Sequence, residues 1–345
     1  MDDSLATTTE TDVLIVGAGL AGSVAGYLLA RGGRRVLAME LRDARRKDKL
    51  CAGLFREEAR DLLREIFGPE RVDALAIHHI ESWTSCALDV NLTEPTLLCS
   101  MRRKQLDDFC LERYLAAGGS IMDRMRLDRI DAQGKRAVFR DLRTGRDVEV
   151  AYQVIVGADG AGSAVRRLLA EKRQRTYPAL EGSVPLFRED MVMEHSLGQP
   201  GYCWYMPRGD DATVGVVIMD PNATGAACRE WLASFCTNRL GIEQPELRGA
   251  PIPSMGEVQL RVGEDAYLLG DAAGLITILA GGIDNAIFSG MALAGWLLGG
   301  QPYEQAIASI TEASSRDADD VENTYNRTFL SIVVECAKRG GFFPG

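Results

Sequence analysis

Apolar and polar positions along the chain fall into short blocks of two kinds. Continuous apolar runs, "DVLIV" (12–16), "RVLAM" (35–39), "YQVIVG" (152–157) and "AYLLG" (266–270), have the pattern of central parallel strands covered on both faces. Between them, "LAGSVAGYLLARGG" (20–33) reads as a helix stopped by Gly32 and Gly33, and "RRVLAME" (34–40) as the next strand. This is a βαβ unit opening a doubly wound sheet. At 103–117, Leu106, Phe109, Cys110, Tyr114 and Ala117 recur at helical spacing, and "GGSIM" (118–122) returns to a strand. Residues 126–157 alternate and break at "DAQGK" and "RTGRD", the pattern of a small β-meander. After Pro178 the period becomes two: "SVPLF" (183–187), "GYCWYMP" (201–207) and "TVGVVIM" (213–219) read as strands, with "PRGDDA" turning the last two into a hairpin. A helix is expected from about Gly282 to Leu298, and 303–339 is expected to be mostly helical. The expected fold is α/β, a Rossmann-like body carrying an inserted antiparallel β-sheet.

Three of these four buried runs end in a glycine-rich turn. In "GAGLAG" (17–22), Gly17 permits the tight turn, Gly19 lets backbone approach a pyrophosphate, and Gly22 lets helix and strand pack closely. The amides of Ala18, Leu20 and Ala21 lie in the same turn, at a helix amino terminus bearing a partial charge of about +0.5. Glu40, at the end of the second strand, can accept both hydrogen bonds of an adenosine ribose; Leu41 and Arg42 follow it and lie close enough to touch the same ligand. A dinucleotide site follows. "VIVGADG" and "YLLGDAAG" place Asp159, Gly160, Gly270 and Asp271 at the carboxyl edge of the sheet, where open α/β sheets bind ligands.

With these turns, "RKQLD" (103–107), "GADGAGSAVR" (157–166) and "GDAAG" (270–274) in this order, nearly the whole chain resembles the FAD-dependent oxidoreductases of the p-hydroxybenzoate hydroxylase-like class. The resemblance implies FAD as resident cofactor, with Glu40 on the adenosine ribose, Arg103 along the FAD chain and Asp271 at the ribityl or pyrophosphate region. It implies FAD-binding segments at 1–76, 100–176 and 256–345, the last with the C-terminal helices, and substrate-domain segments at 77–99 and 177–255. No second GxGxxG is present, so NAD(P)H or another reductant is expected as a transient donor. "KLCAG" (49–53), "GYCWYMP" and "GGIDNAIFSG" (281–290) are similar to the geranylgeranyl reductase branch. The chain departs from that branch at Ile278, where Pro is usual, and in "LAGGI" (279–283), one residue short.

Strand alternation puts Tyr202, Trp204 and Met206 on one face and Cys203 and Tyr205 on the other. If the inserted sheet lies over the flavin, one face is the wall of a cavity for an apolar or aromatic small molecule. Gly281, Gly282 and Ile283 begin a helix whose positive end would stabilise reduced flavin. Tyr202, Tyr205 or a cavity water could supply a proton. Cys51 is read as a redox thiol, a pocket-lining group or an inert buried residue. His78, His79 and His195 sit in no motif.

The remaining features narrow the class. The net charge of −10 repels nucleic acid, and 46% hydrophobic with 26% charged residues fits an ordinary enzyme. The eight cysteines show no CxxC or metal spacing, which suits a reducing compartment. The start "MDDSLATTTETD" lacks a signal-peptide pattern, and a cytoplasmic location is expected. "GLITILAGGIDNAIFSGMALAGWLLGG" (274–300), interrupted by Asp284 and Asn285, does not read as a membrane span. A peripheral membrane contact stays open, because an isoprenoid substrate would reside there and "GGFFPG" ends the chain. Three functions compete: a reductase of carbon–carbon double bonds in an isoprenoid-like substrate, a flavin monooxygenase or halogenase acting on an aromatic substrate, and a non-enzymatic flavoprotein. The halogenase strand Trp-x-Trp-x-Ile-Pro has Tyr202 and Met206 here in place of its first Trp and its Ile.

Overall fold

The computed structural model describes residues 9–68, 75–77, 79–83, 87–91, 98–195, 200–277 and 281–318, with backbone only for those between 75 and 91. His78, Ile278, the first two residues of "LAGGI" (Leu279 and Ala280) and the "GGFFPG" tail lie outside the described residues, as does the side chain of His79.

The apolar runs assemble into a parallel core. Strand Thr9–Val16 pairs in parallel with Val36–Glu40 on one side and Asp147–Gly157 on the other. Ala266–Leu268 continues the sheet beyond Asp147–Gly157, and Ser120–Asp123 beyond Val36–Glu40. The three glycine-rich turns therefore leave adjacent strands at one edge. Met125–Asp131, Arg136–Asp141 and Asp147–Gly157 form the expected meander. Helices Leu20–Arg31 and Arg103–Ala116 cover the sheet, and Gly281–Leu297 packs against the first of them. Tyr114, fully buried, pins Arg103–Ala116 to the sheet by a hydroxyl within 2.6 Å of the Ser120 carbonyl oxygen and 3.0 Å of the Val36 one. Among the described residues no helix is long and apolar enough to cross a membrane.

The second sheet runs Arg248–Pro253, Thr176–Pro185, Asp211–Ile218, Gly201–Pro207, Met191–His195, His79–Trp83, Ala87–Asn91. All neighbours are antiparallel except Met191–His195 with His79–Trp83. The 201–207/211–218 hairpin is as expected, but the strand placed at 183–187 instead spans Thr176–Pro185, passing through Pro178. Alternation explains the extension: Tyr177, Ala179 and Glu181 point to the same buried face, a pattern masked in the sequence by the charge of Glu181. Helix Gly225–Phe235 covers the opposite face, burying Cys228, Leu232 and Phe235 against Cys203, Tyr205 and Val216. Toward the carboxyl end, Tyr303–Ala306 and residues 308–318 are helical; the rest of 303–339 lies outside the described residues.

One buried ion pair ties the parts together. Arg56 donates Nε to Asp284 Oδ2 at 2.6 Å and its amide to Oδ1 at 3.2 Å, and the Asp284 side chain is fully buried. This fixes the first turn of Gly281–Leu297 against the short strand Leu54–Arg56. Removing one partner leaves an uncompensated buried charge, so Asp284→Ala is expected to lower stability by about 3–5 kcal/mol, measured by urea denaturation.

Candidate functional site

The glycine-rich turn is set by backbone contact. Gly17 has φ +100°, and a Cβ there would lie 2.4 Å from the Ala158 carbonyl oxygen. A Cβ on Gly22 would lie 2.1 Å from the Gly17 carbonyl oxygen, so this glycine serves helix–strand packing and does not line the cleft beside it. Gly19 faces open space, and no side chain caps the helix that it begins. A cleft of about 1050 Å³ runs past Gly17, Gly19, Leu20, Ala21 and Glu40, with Leu41 and Arg42 at its rim. Arg42, Lys47, Lys49, Arg103, Arg126 and Arg167 also line it. Open amides, an uncapped helix start and clustered cations fit a dinucleotide diphosphate.

The acids are less free than their motifs suggest. Glu40 Oε2 accepts from the Ala18 amide at 3.0 Å and from Lys47 Nζ at 3.2 Å, while Oε1 accepts from the Arg42 amide at 3.0 Å. With about four acceptor positions on a carboxylate, Glu40 cannot take both ribose hydroxyls until Lys47 leaves it. The Ala18 amide, held by Glu40, is likewise not aimed at a phosphate. Asp271 pairs with Lys49 at 2.6 Å, and both residues stand where the cleft opens into the next cavity. Asp159 uses its carboxylate on the Ser163 hydroxyl at 2.6 Å and the Ala164 amide at 2.7 Å, and so anchors helix Ala164–Leu169 while lining the cleft. Gly270 also lines it. Lys47 and Lys49 were hidden in "RDARRKDK", which reads by sequence as a solvated loop.

Beyond Asp271 the cleft continues into a cavity of about 180 Å³. Its floor includes Cys51, Ala52, Arg103, Gly281, Gly282 and Ile283, and its roof is the antiparallel sheet. Arg103 lines both spaces, its buried guanidinium bonded to Asp107 at 2.9 Å and lying beside Cys51; its pKa is raised by Asp107 and Cys51 against the opposing effect of burial. Cys51 Sγ accepts from the Gly53 amide at 3.4 Å. Gly282 opens toward the cavity, where a Cβ would be 3.9 Å from the nearest atom, Asp271 Oδ1.

The aromatic strand divides as alternation requires. Tyr202, Trp204 and Met206 face the cavity, and Tyr202 packs beside Trp204 with ring centroids 5.8 Å apart. The indole of Trp204 lies on Gly215, where a Cβ would be 2.2 Å from the ring. Its Nε1 has no hydrogen-bond partner among the described residues. Tyr205 corrects the expectation: it is fully buried on the other face, its hydroxyl donating to the Arg188 carbonyl at 3.0 Å and accepting from the Phe187 and Arg188 amides at 3.3 Å. It has no access to the cavity. Sequence reading placed Met206 on this face but missed Met191, Met193, Met219 and Met255; the five, of the chain's 11 methionines, all line this one space. It also missed Glu181, a buried carboxyl at the cavity edge. His195, beside Tyr202, is held neutral, burial pulling its pKa down to about 4.

The chain belongs to the FAD binding domain family, whose profile matches residues 10–298. The digeranylgeranylglycerophospholipid reductase 2 of Methanosphaera stadtmanae is 26% identical over 307 residues, covering 82% of this chain and 76% of the relative. Two crystal structures share the fold, each at 21% identity and TM-score 0.71. PqsL, a probable FAD-dependent monooxygenase from Pseudomonas aeruginosa, is matched over 95% of this chain and 100% of its own. A geranylgeranyl bacteriochlorophyll reductase-like protein from Thermoplasma acidophilum is matched over 96% and 88%. The resemblance read from the motifs, with its α/β fold and inserted antiparallel sheet, therefore holds.

Two substitutions test the geometry. Gly17→Ala forces a side chain into the Ala158 carbonyl, and we expect FAD affinity to fall at least about tenfold, equivalent to about 1.4 kcal/mol, by flavin fluorescence titration. Tyr205→Phe is expected to lower thermal stability by about 1–2 kcal/mol while leaving the spectrum of bound flavin and the kinetics of its reoxidation unchanged.

Proposed function

We propose that the protein is a flavin-dependent reductase that saturates carbon–carbon double bonds of an apolar, isoprenoid-like substrate, with NAD(P)H or another reductant as transient electron donor. The observation that carries this reading is the make-up of the cavity wall. Five methionines with Tyr177, Tyr202 and Trp204 give a soft apolar surface that reshapes around a flexible chain. A hydroxylated aromatic ring would instead call for polar groups spread along the wall to fix its orientation. Charged and aliphatic hydroxyl side chains here gather in Glu181, Arg248 and Lys49 at one edge and in Arg103, Asp271 and Thr277 on the floor. The reductase relative from Methanosphaera stadtmanae supports the same choice.

FAD, once bound and reduced, supplies hydride chemistry at the cavity floor. The residues around it have separable tasks. The amides at the start of Leu20–Arg31, with Lys47, Lys49 and Arg103, would hold the diphosphate. The start of Gly281–Leu297 presents its positive end to the cavity floor, where it favours negative charge. Trp204, wedged on Gly215, and Tyr202 exclude water and hold the substrate chain against the floor.

The reading is tested by reducing the flavin-loaded protein without air and adding geranylgeranyl diphosphate. We expect the flavin to reoxidise as the chain gains hydrogen, seen by absorbance and product mass. Failure of the alkene to reoxidise it, together with incorporation of oxygen into an aromatic substrate once air is admitted, would establish the monooxygenase alternative.

A further inference from the structure

Glu181 stands at a boundary. Its strand, Thr176–Pro185, sends Tyr177, Ala179 and Glu181 to the cavity face, and the carboxyl sits where the apolar roof descends on the Cys51 loop. The same side chain lines a second, outer cleft of about 680 Å³, whose walls include Asp48, Arg102, Lys104, Asp108 and Asp211. Glu181 thus touches a largely apolar space on one side and one lined by charged and polar side chains on the other. We propose that Glu181 delivers the proton for the reduction into the substrate cavity and takes its replacement from the outer cleft.

The inference rests on the reductase reading. In that reaction one carbon of the double bond gains a hydride with its electron pair, and reduced flavin is left oxidised. The neighbouring carbon gains a proton as the π bond breaks. Glu181 loses its O–H proton to that carbon, and the resulting carboxylate is reprotonated by water in the outer cleft. Atoms and electrons balance without another reactant.

The surroundings favour the protonated acid more than water does. The nearest cation, Arg208, is 3.8 Å from Glu181 but binds Asp211 more closely, at 3.0 Å. The Thr213 hydroxyl and the Cys51 amide also face the carboxyl, and the Asp48 charge opposes its ionisation. Lys49 and Arg248 line both spaces beside it, and Lys49 is committed to Asp271. Burial outweighs the attraction of Arg208 and pushes the pKa of Glu181 up to about 6. Tyr177 and Tyr202 also line the cavity, but a phenol, with an ordinary pKa of about 10, is a weaker acid than a carboxyl.

A proton donor must carry its proton, so its contribution is present at low pH and lost as pH rises through about 6. Two measurements test this on the flavin-loaded protein. Infrared difference spectra between acidic and alkaline pH are expected to show a protonated-carboxyl band that titrates near that value and is missing from Glu181→Gln. In anaerobic reoxidation by geranylgeranyl diphosphate, Glu181→Gln is expected to be about 100-fold slower and to lose the pH dependence, while its reoxidation by oxygen matches the unaltered protein. Equal rates and pH profiles, or absence of the band, overturn the inference and leave the reductase reading intact. Failure of the alkene to reoxidise the unaltered protein overturns both. If Glu181→Gln does not load flavin, Glu181→Asp decides: its retracted carboxyl should slow the alkene reaction and keep a pH limb, and an unchanged rate counts against the proposal.

Discussion

The contact between Gly17 and the Ala158 carbonyl oxygen is the constraint on which the site depends. Neither backbone leaves room for a side chain, and Gly22 seats the following helix against the same turn. Two neighbouring strands are thereby drawn together at their carboxyl ends, and the uncapped start of Leu20–Arg31 is aimed along the sheet edge. A cleft for an anion follows from backbone geometry alone. Side chains then grade it from cationic at the diphosphate end to apolar under the antiparallel sheet.

That gradation has an electrostatic cost that the chain manages with two lysines. Glu40 and Asp271 are largely buried, and an unpaired buried carboxylate is unfavourable. Lys47 and Lys49, from a single loop, each neutralise one of them. The same loop ends at Cys51, whose amide faces Glu181 in the roof. One short segment therefore joins the cofactor cleft, the cavity floor and the roof. A cofactor that brings two phosphates meets lysines already gathered on its path.

The buried Arg56–Asp284 pair serves the other end of the cavity. It carries no exposed charge into the apolar space, yet it fixes the glycine-rich start of the long helix against the strand that follows the Cys51 turn. Polar contacts at the site are thus of two kinds: exchangeable pairs along the cleft, and a locked pair beneath the floor.

Local rules made much of this legible in the sequence. Continuous apolar runs specify covered strands, and GxGxxG between strand and helix specifies the tight turn, because both depend on neighbours within a few residues. Alternation alone separated Tyr202 and Trp204 from Cys203 and Tyr205. It did not say which face met the cavity, and so Tyr205 stood beside Tyr202 as a proton source until helix Gly225–Phe235 was found covering its side. Met206 follows the alternation of Tyr202 and Trp204, but only the pairing of distant strands brings Met191, Met193, Met219 and Met255 to the same wall. The lysines of "RDARRKDK" and the acid at 181 were equally unreadable, because a charge in sequence has no partner until the fold supplies one. Covalent geometry and side-chain period settled the elements and the cofactor turn, whereas long-range packing decided which charges are paired, which are buried, and which acid borders the cavity.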